Sequence, residues 1–217
     1  MIGFFDSGFG GLCILEAFLK ECPGESVFYI ADNSHCPYGD KSAEEIRKRS
    51  EELVDELVNI HHCRMVVVAC NTATAAAIDF LREKHPAIPF VGLEPAIKPA
   101  LLASKSGVVG VFATRGTFNG RLYRETKARF ANGVRVLATI ADEWVELVEE
   151  GDISSPRAER LVREKVEPIL KAGADHLVLG CTHFPHLRAL IEKTAAGRAE
   201  VVDSSAAVAR QARRLIS

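Results

Sequence analysis

Two cysteines stand out by their setting. Cys70, in Ala69-Cys70-Asn71-Thr72-Ala73, and Cys181, in Gly180-Cys181-Thr182-His183, each follow a short apolar run and precede a stretch with helical periodicity. A thiol in that position meets unpaired amide groups and the positive end of a helix, both of which favour thiolate. The same amides can hold a carboxylate. Asp6, Ser7, Asp32, Asn71, Thr72, Thr114, Thr182 and His183 also fall at the ends of apolar runs, and ligands in α/β proteins bind at the carboxyl ends of strands. Cys13, Cys22 and Cys63 read as inert buried thiols. Cys36, in a polar loop, is assigned to neither class.

Other chemistries fit these residues less well. A phosphatase loop wants an arginine six residues beyond the thiol, where Ala76 and Leu187 stand. Cys181, His183 and His186 form a partial zinc set with no fourth ligand at a recognisable spacing, so no metal is expected. Gly8-Phe9-Gly10-Gly11 lacks the third glycine of a dinucleotide loop, because Cys13 occupies that place. Its glycines would let backbone approach a carboxylate or turn tightly into a helix. No lysine sits in a setting suited to pyridoxal phosphate, and no cofactor is expected.

The elements that must position the thiols alternate regularly. Strands are predicted at 2–5, 27–31, 65–69, 90–93, 108–113, 134–140, 176–179 and 201–202, rich in Val, Ile and Phe and short enough to be buried on both faces. Ser42-Ala43-Glu44-Glu45 is a capping box, and Ile46, Leu53, Leu57 and Ile60 follow it on one helical face. A second long helix runs from Pro156 to near Gly173, with shorter ones at about 11–20, 74–84, 95–104, 117–130, 184–195 and 205–216. The alternation is that of helices wound about mostly parallel sheets.

The two halves repeat. Asp6 answers Thr114 at an interval of 108 residues, Asp32 answers Asp142 at 110, and Cys70 answers Cys181 at 111. A single doubly wound sheet would also space its strands regularly, but a duplicated half accounts for all three matches. The expected fold is two doubly wound α/β lobes with mainly parallel sheets, related by a pseudo-twofold axis, with the site in the cleft between them. The first lobe would comprise residues 1–94 plus 203–217, the second 95–202. One cysteine from each lobe would then reach the shared cleft.

Composition narrows the partners. The 217 residues are 47% hydrophobic and 26% charged with a net charge of -2, enough for one substantial core or two small ones. No bulk field draws the chain to nucleic acid or to a membrane surface, and a small polar molecule is the expected partner. No signal peptide is visible after Met1-Ile2-Gly3-Phe4-Phe5, and no apolar run approaches the ~18 to 20 residues of a membrane helix. Six irregularly spaced cysteines without a C-x-x-C suggest reduced thiols and a cytoplasmic protein.

At its motifs the chain resembles the glutamate racemases of the aspartate/glutamate racemase superfamily. The matching stretches are Asp6-Ser7-Gly8-Phe9-Gly10-Gly11, Pro37-Tyr38-Gly39 with Lys41-Ser42, Ala69-Cys70-Asn71-Thr72-Ala73, Gly92-Leu93-Glu94-Pro95 and Gly180-Cys181-Thr182-His183-Phe184-Pro185. They span the chain, and the two cysteine motifs together look more like the glutamate than the aspartate branch. The resemblance implies metal-free and cofactor-free interconversion of L- and D-glutamate in the cytoplasm, supplying D-glutamate for bacterial peptidoglycan and hence for the cell wall and cell shape. Cys70 and Cys181 would be the acid/base pair, one thiolate removing the α-proton and the opposite thiol returning one. Asp6 and His183 would assist, with Glu149 as a further acidic position. Asp6, Ser7, Tyr38, Gly39, Asn71, Thr72, Thr117, Thr182 and His183 would bind the substrate. A homodimer is left open.

Plainer roles stand beside these. Asp6 and Ser7 could cap the following helix, His183 could be a buried supporting histidine, Tyr38 a packing residue and Glu149 a solvated helical glutamate. Asp32 could serve only to order the Tyr38 loop. The chain departs from the family pattern in carrying Ala141-Asp142 where many relatives have Cys-Pro, and in ending soon after Val201-Val202-Asp203-Ser204. An aspartate racemase and a catalytically silent amino-acid-binding relative are the competing readings.

Overall fold

In the computed structural model, which describes residues 1–216, eight strands form two four-stranded sheets, every pair parallel. Ser217, the last residue of the expected first lobe, lies outside the described residues. The first sheet holds β1 (Ile2–Asp6), β2 (Val27–Ala31), β3 (Met65–Val68) and β4 (Phe90–Gly92) in the order β2-β1-β3-β4. The second holds β5 (Val108–Ala113), β6 (Arg135–Ile140), β7 (His176–Leu179) and β8 (Glu200–Val202) in the order β6-β5-β7-β8. Exchanging each strand for the one four later turns the first order into the second. The repeat of three strand ends therefore extends to a fourth strand and to the whole topology, giving two lobes related by a pseudo-twofold axis.

Strand side chains alternate between two cores, as a period of two requires. Phe4, Met65 and Val67 face α1 (Leu12–Glu21) and α10 (Ser205–Ile216), packing with Ile14, Phe18, Val208 and Ala212. Phe5, Val66 and Val68 face the opposite way, onto α2 (Ala43–Asp55) and α3 (Asn71–Lys84), where Ile46, Leu53, Ala77 and Leu81 are buried. In the second sheet Val109, Val111 and Val178 face α4 (Ile97–Ala103). Phe112, Leu177 and Leu179 face the other core, formed by α7 (Glu143–Glu149), α8 (Pro156–Lys171) and α9 (Arg188–Ala195). Trp144 anchors that second core between the rings of Phe112 and Phe184, each with its centroid 5.0 Å away. Both faces of each sheet are covered, which explains why the strands read as near-continuous apolar runs.

Several helices differ from expectation. The capping box of α2 forms at Ser42 and Glu45, but a π-helical turn over Glu56–Ile60 follows it. The wider turn shifts the helical face, so Ile60 is 67% exposed instead of lining the core with Leu53 and Leu57. Helix α3 begins at Asn71, three residues earlier than predicted, because Cys70 is its N-cap and Sγ accepts from Ala73 N at 3.4 Å. The predicted helix over 117–130 is two, α5 (Arg115–Asn119) and α6 (Arg121–Phe130), separated by Gly120 in an extended conformation. A Cβ at Gly120 would sit 2.6 Å from that of Ala75 in α3, so the break is where the lobes touch. Phe184–Leu187 forms a 3-10 turn before α9, and α7, which carries Glu149 at its end, has no counterpart among the predicted helix ranges.

Candidate active site

In each sheet the first strand is central, and the chain leaves it toward opposite edges. The crevice at that reversal lies between the carboxyl ends of β1 and β3, and of β5 and β7, where open α/β sheets bind ligands. Asp6 ends β1 and Cys70 follows β3; Thr114 follows β5 and Cys181 follows β7. Cys70 and Cys181 line one cavity together with Ser7, Pro37, Tyr38, Gly39, Thr72, Thr114, Val145, Thr182 and His183. The two lobes thus bring one thiol each to a common space. That space measures about 10 Å³, room for about one water, so the site is closed and must open to admit an amino acid. A larger cavity lies away from the thiols. It has about 510 Å³, lies between the lobes beside Lys41 and Arg115, and shares Gly39 and Thr72 with the central site.

The environments of the two thiols differ. Cys70 is buried at the start of α3, where its thiol donates to Ser7 Oγ at 3.9 Å. Burial and the charge of Asp6 push this thiol up, against the Ala73 amide that pulls it down. The helix-start amide favours thiolate as expected, but desolvation and Asp6 outweigh it. Cys181 departs from expectation in another way. The turn after it is 3-10 and its N-cap is His183, so Cys181 meets an imidazole instead of the amides of an α-helix, with Sγ 3.6 Å from His183 Nδ1.

Each thiol has an acidic or basic companion. Asp6 is fully buried, its Oδ2 accepting from Gly8 N at 3.3 Å and Gly11 N at 3.0 Å and its Oδ1 from Thr182 Oγ1 at 3.4 Å. Burial pushes its carboxyl up, moderated by His183 and by bonds to Gly11, Gly8 and Cys70. It does not cap α1, whose N-cap is Gly11. His183 is 1% exposed. Burial alone would lower it, but hydrogen bonds to Cys181, Cys36 and Glu149 hold it well above its ordinary value.

Glu149 is no solvated helical glutamate. It lies 2.5 Å from His183 Nε2 through Oε1, which also accepts from Phe9 N at 2.8 Å, while Oε2 accepts from Asn33 Nδ2 at 3.1 Å. Burial raises its carboxyl, but these donors together bring it below the usual range. The glycines before α1 serve these contacts. A Cβ on Gly8 would overlap the Glu149 carboxylate, and one on Gly10 would come 2.5 Å from His183 Nδ1. The carboxylate that this backbone approaches belongs to the opposite lobe.

The remaining predicted residues fall in two layers. Ser7, Gly39, Thr72 and Thr182 line the cavity. Tyr38 lines it with its ring, its hydroxyl donating to Asp32 Oδ2 at 2.6 Å. Arg49 also clamps Asp32, at 2.9 and 2.8 Å, so Asp32 holds the Tyr38 loop. Asn71 and Thr117 are buried behind the wall, and Asn71 Nδ2 is a buried donor without a hydrogen-bond partner. Thr117 reaches the site through Thr114, 3.1 Å between hydroxyl oxygens, and Thr114 meets Thr72 at 2.8 Å. Thr114, which the sequence places at a ligand-binding strand end without a role toward the substrate, lines the cavity as well. His186 turns away from the thiols, with Nε2 3.2 Å from Gly10 O. Among the described residues the set that could hold a metal is instead Cys36, Glu149 and His183.

Comparison with known proteins agrees with this geometry. The Asp/Glu/Hydantoin racemase family model matches residues 13–212. A glutamate racemase of Ectopseudomonas mendocina is 45% identical over 215 residues, covering 99% of this chain and 81% of that protein. One from Herpetosiphon aurantiacus is 47% identical over 216 residues, covering 100% of this chain and 84% of the relative. The crystal structure of Escherichia coli glutamate racemase in complex with L-glutamate and the activator UDP-MurNAc-ala superposes with a TM-score of 0.91 at 36% identity, covering 99% of this chain and 82% of that one. The chain belongs to the Asp/Glu/Hydantoin racemase family.

Proposed function

We propose that this protein interconverts L- and D-glutamate by proton transfer between Cys70 and Cys181, without metal or cofactor. The observation that carries the reading is that one thiol from each lobe lines a single cavity at the two topological switch points. In one direction Cys181 is the base, its Sγ 3.6 Å from His183 Nδ1, which takes up the thiol's proton to leave a thiolate, and Cys70 is the acid, a thiol held neutral by burial and Asp6. The thiolate takes the proton of the Cα that faces it. The electron pair left at Cα delocalises into the adjacent carboxylate, and the Cys70 thiol delivers its proton to the opposite face. Reversing direction requires Cys70 to lose its proton first, and Asp6, whose carboxyl is pushed up by burial, is the group to receive it.

Holding the substrate falls to Ser7, Tyr38, Gly39, Thr72, Thr182 and His183 at the cavity wall, with Thr117 bracing Thr114 behind it. The unpartnered Asn71 Nδ2 is a donor for a substrate oxygen once the site fills, since a buried donor left unmade costs ~1 to 3 kcal/mol. The lobe units are residues 1–94 plus the C-terminal segment from 203, and residues 95–202; the packing of α10 on α1 supports that division. Among the described residues no helix is long and apolar enough to cross a membrane. A cytoplasmic enzyme supplying D-glutamate for peptidoglycan fits this reading.

The test is incubation of each glutamate enantiomer with the enzyme in deuterium oxide. Deuterium should enter Cα of the product as the opposite enantiomer appears. Faster racemisation of aspartate than of glutamate would reassign the substrate, and no exchange on either would leave only amino-acid binding.

A further inference from the structure

We propose that a thiophilic divalent cation of the zinc type binds between Cys36, Glu149 and His183 and staples the two lobes in the closed state. One ligand atom from each residue lies within 4.8 Å of the other two. The set mixes sulfur, imidazole nitrogen and carboxylate oxygen, which suits zinc and not the hard cations magnesium or calcium. Its members come from both sides of the cleft. Cys36 follows the 3-10 turn Asn33–His35 of the first lobe, whereas Glu149 ends α7 and His183 follows β7 in the second.

The site is held in shape before any ion arrives. Glu149 is fixed by the Phe9 amide and by Asn33, and His183 is 1% exposed with Cys181 on its other nitrogen. Cys36 is half-buried, packed against the core of the second lobe. A cavity of about 320 Å³ is lined by Asn33, Cys36, Pro37, Val145, Glu146 and Glu149, and so gives access to two of the three ligands. Zinc would replace the proton shared between His183 Nε2 and Glu149 Oε1. Bonds of about 2.3 Å to sulfur and 2.0 to 2.2 Å to nitrogen and oxygen then need the three groups to draw in slightly around the ion. On binding, the Cys36 S–H and the shared proton are lost to solvent, three bonds to the metal form, and water completes the fourth position.

The consequence for turnover follows from the closed cavity. A space of about 10 Å³ admits no amino acid, so the lobes must part, and an ion that ties Cys36 to Glu149 and His183 holds them together. A ligand that binds only the closed state withdraws the population open to substrate. Zinc should therefore slow racemisation reversibly and a chelator should restore it. That half rests on the racemase reading; the binding half does not.

The experiment titrates the purified protein with cobalt(II) as a spectroscopic stand-in for zinc, reading the thiolate-to-metal charge-transfer band. The wild type and Cys181→Ala should show the band and Cys36→Ser should lack it. Zinc chloride should inhibit the wild type, and Cys36→Ser should need at least ~10-fold more zinc for the same inhibition, the lower range for disturbing a metal site. If Cys36→Ser does not fold, alkylation of Cys36 in the wild type, read by peptide mass spectrometry, decides the matter, because zinc should protect it. A band that persists without Cys36, no band in the wild type, or equal alkylation with and without zinc would overturn the site. Zinc bound at Cys36 with turnover unchanged would overturn the staple. Should no racemisation be found at all, the band and the alkylation still decide the site.

Discussion

Thr72 Oγ1 and Thr114 Oγ1 lie 2.8 Å apart, a hydrogen bond that joins the first turn of α3 in one lobe to the N-cap of α5 in the other. Both hydroxyls are buried, and Thr114 also accepts from Thr117 N and meets Thr117 Oγ1. The bond spans the cleft at the cavity wall, so it reports whether the lobes are shut.

Replacing Thr72 and Thr114 by valine, singly and together, should give a double-mutant cycle with a coupling of about 1 kcal/mol in stability, the net worth of one buried hydrogen bond. Denaturant unfolding of the four proteins measures it. Additive effects would show that the two hydroxyls act independently.

Cys70→Ala and Cys181→Ala should each suppress racemisation in both directions by at least ~100-fold, the lower range for loss of a positioned acid or base. Serine at one position should leave the two directions unequally sensitive to deuterium at Cα, with the equilibrium unchanged. Near-normal turnover by either folded alanine variant would end the two-thiol mechanism.

Gly8→Ala places a methyl group where the Glu149 carboxylate sits, so Glu149 must leave His183 or the Phe9 amide. The variant should lose about 1 to 3 kcal/mol of stability, as overpacked sites do, and turnover should fall with it. Gly24→Ala is the control, because nothing lies within 4 Å of a Cβ there. Equal melting temperatures for the two variants would contradict the close approach.

Acid should loosen the Tyr38 loop through Asp32. Burial raises this carboxyl, but Arg49, Tyr38 and His35 together hold it below its ordinary value of 3.8. A folded-state value below the unfolded one contributes stability that is present above 3.8 and lost as pH falls through the depressed value. Asp32→Asn should therefore destabilise the protein at neutral pH and flatten its stability profile on the acid side. A pH titration of unfolding midpoints for both proteins tests the sign.

A chelator should not lower racemisation by the purified protein, since in the proposed mechanism both proton-transfer groups are thiols. Loss of activity on chelation, with recovery on adding zinc, would make the cation a requirement and not an inhibitor.

Much of the architecture was legible in the chain because buried parallel strands must be apolar on both faces. Val27–Ala31, Val108–Ala113 and His176–Leu179 match their predicted limits. The repeat of Asp6, Asp32 and Cys70 by Thr114, Asp142 and Cys181 exposed the duplication. What stayed hidden depended on contacts between lobes. Glu149 looks solvated in sequence because its partners Phe9 and Asn33 are 140 and 116 residues away. Ile60 keeps the helical period of α2, yet a π-turn carries it into solvent. The helix start that favours thiolate at Cys70 is visible in sequence, and the desolvation that outweighs it is not.

Helix α10 closes the first lobe by covering Ile14 and Phe18 of α1, although all of the second sheet lies between that lobe's strands and this helix in the chain. A protein made from its amino end therefore emerges with the second lobe's strands complete while one apolar flank of the first is still bare. The later-made lobe can reach its native packing first. Until the twelve-residue helix α10 docks, the nascent chain presents a sticky surface, the kind of exposure that draws chaperones or aggregation.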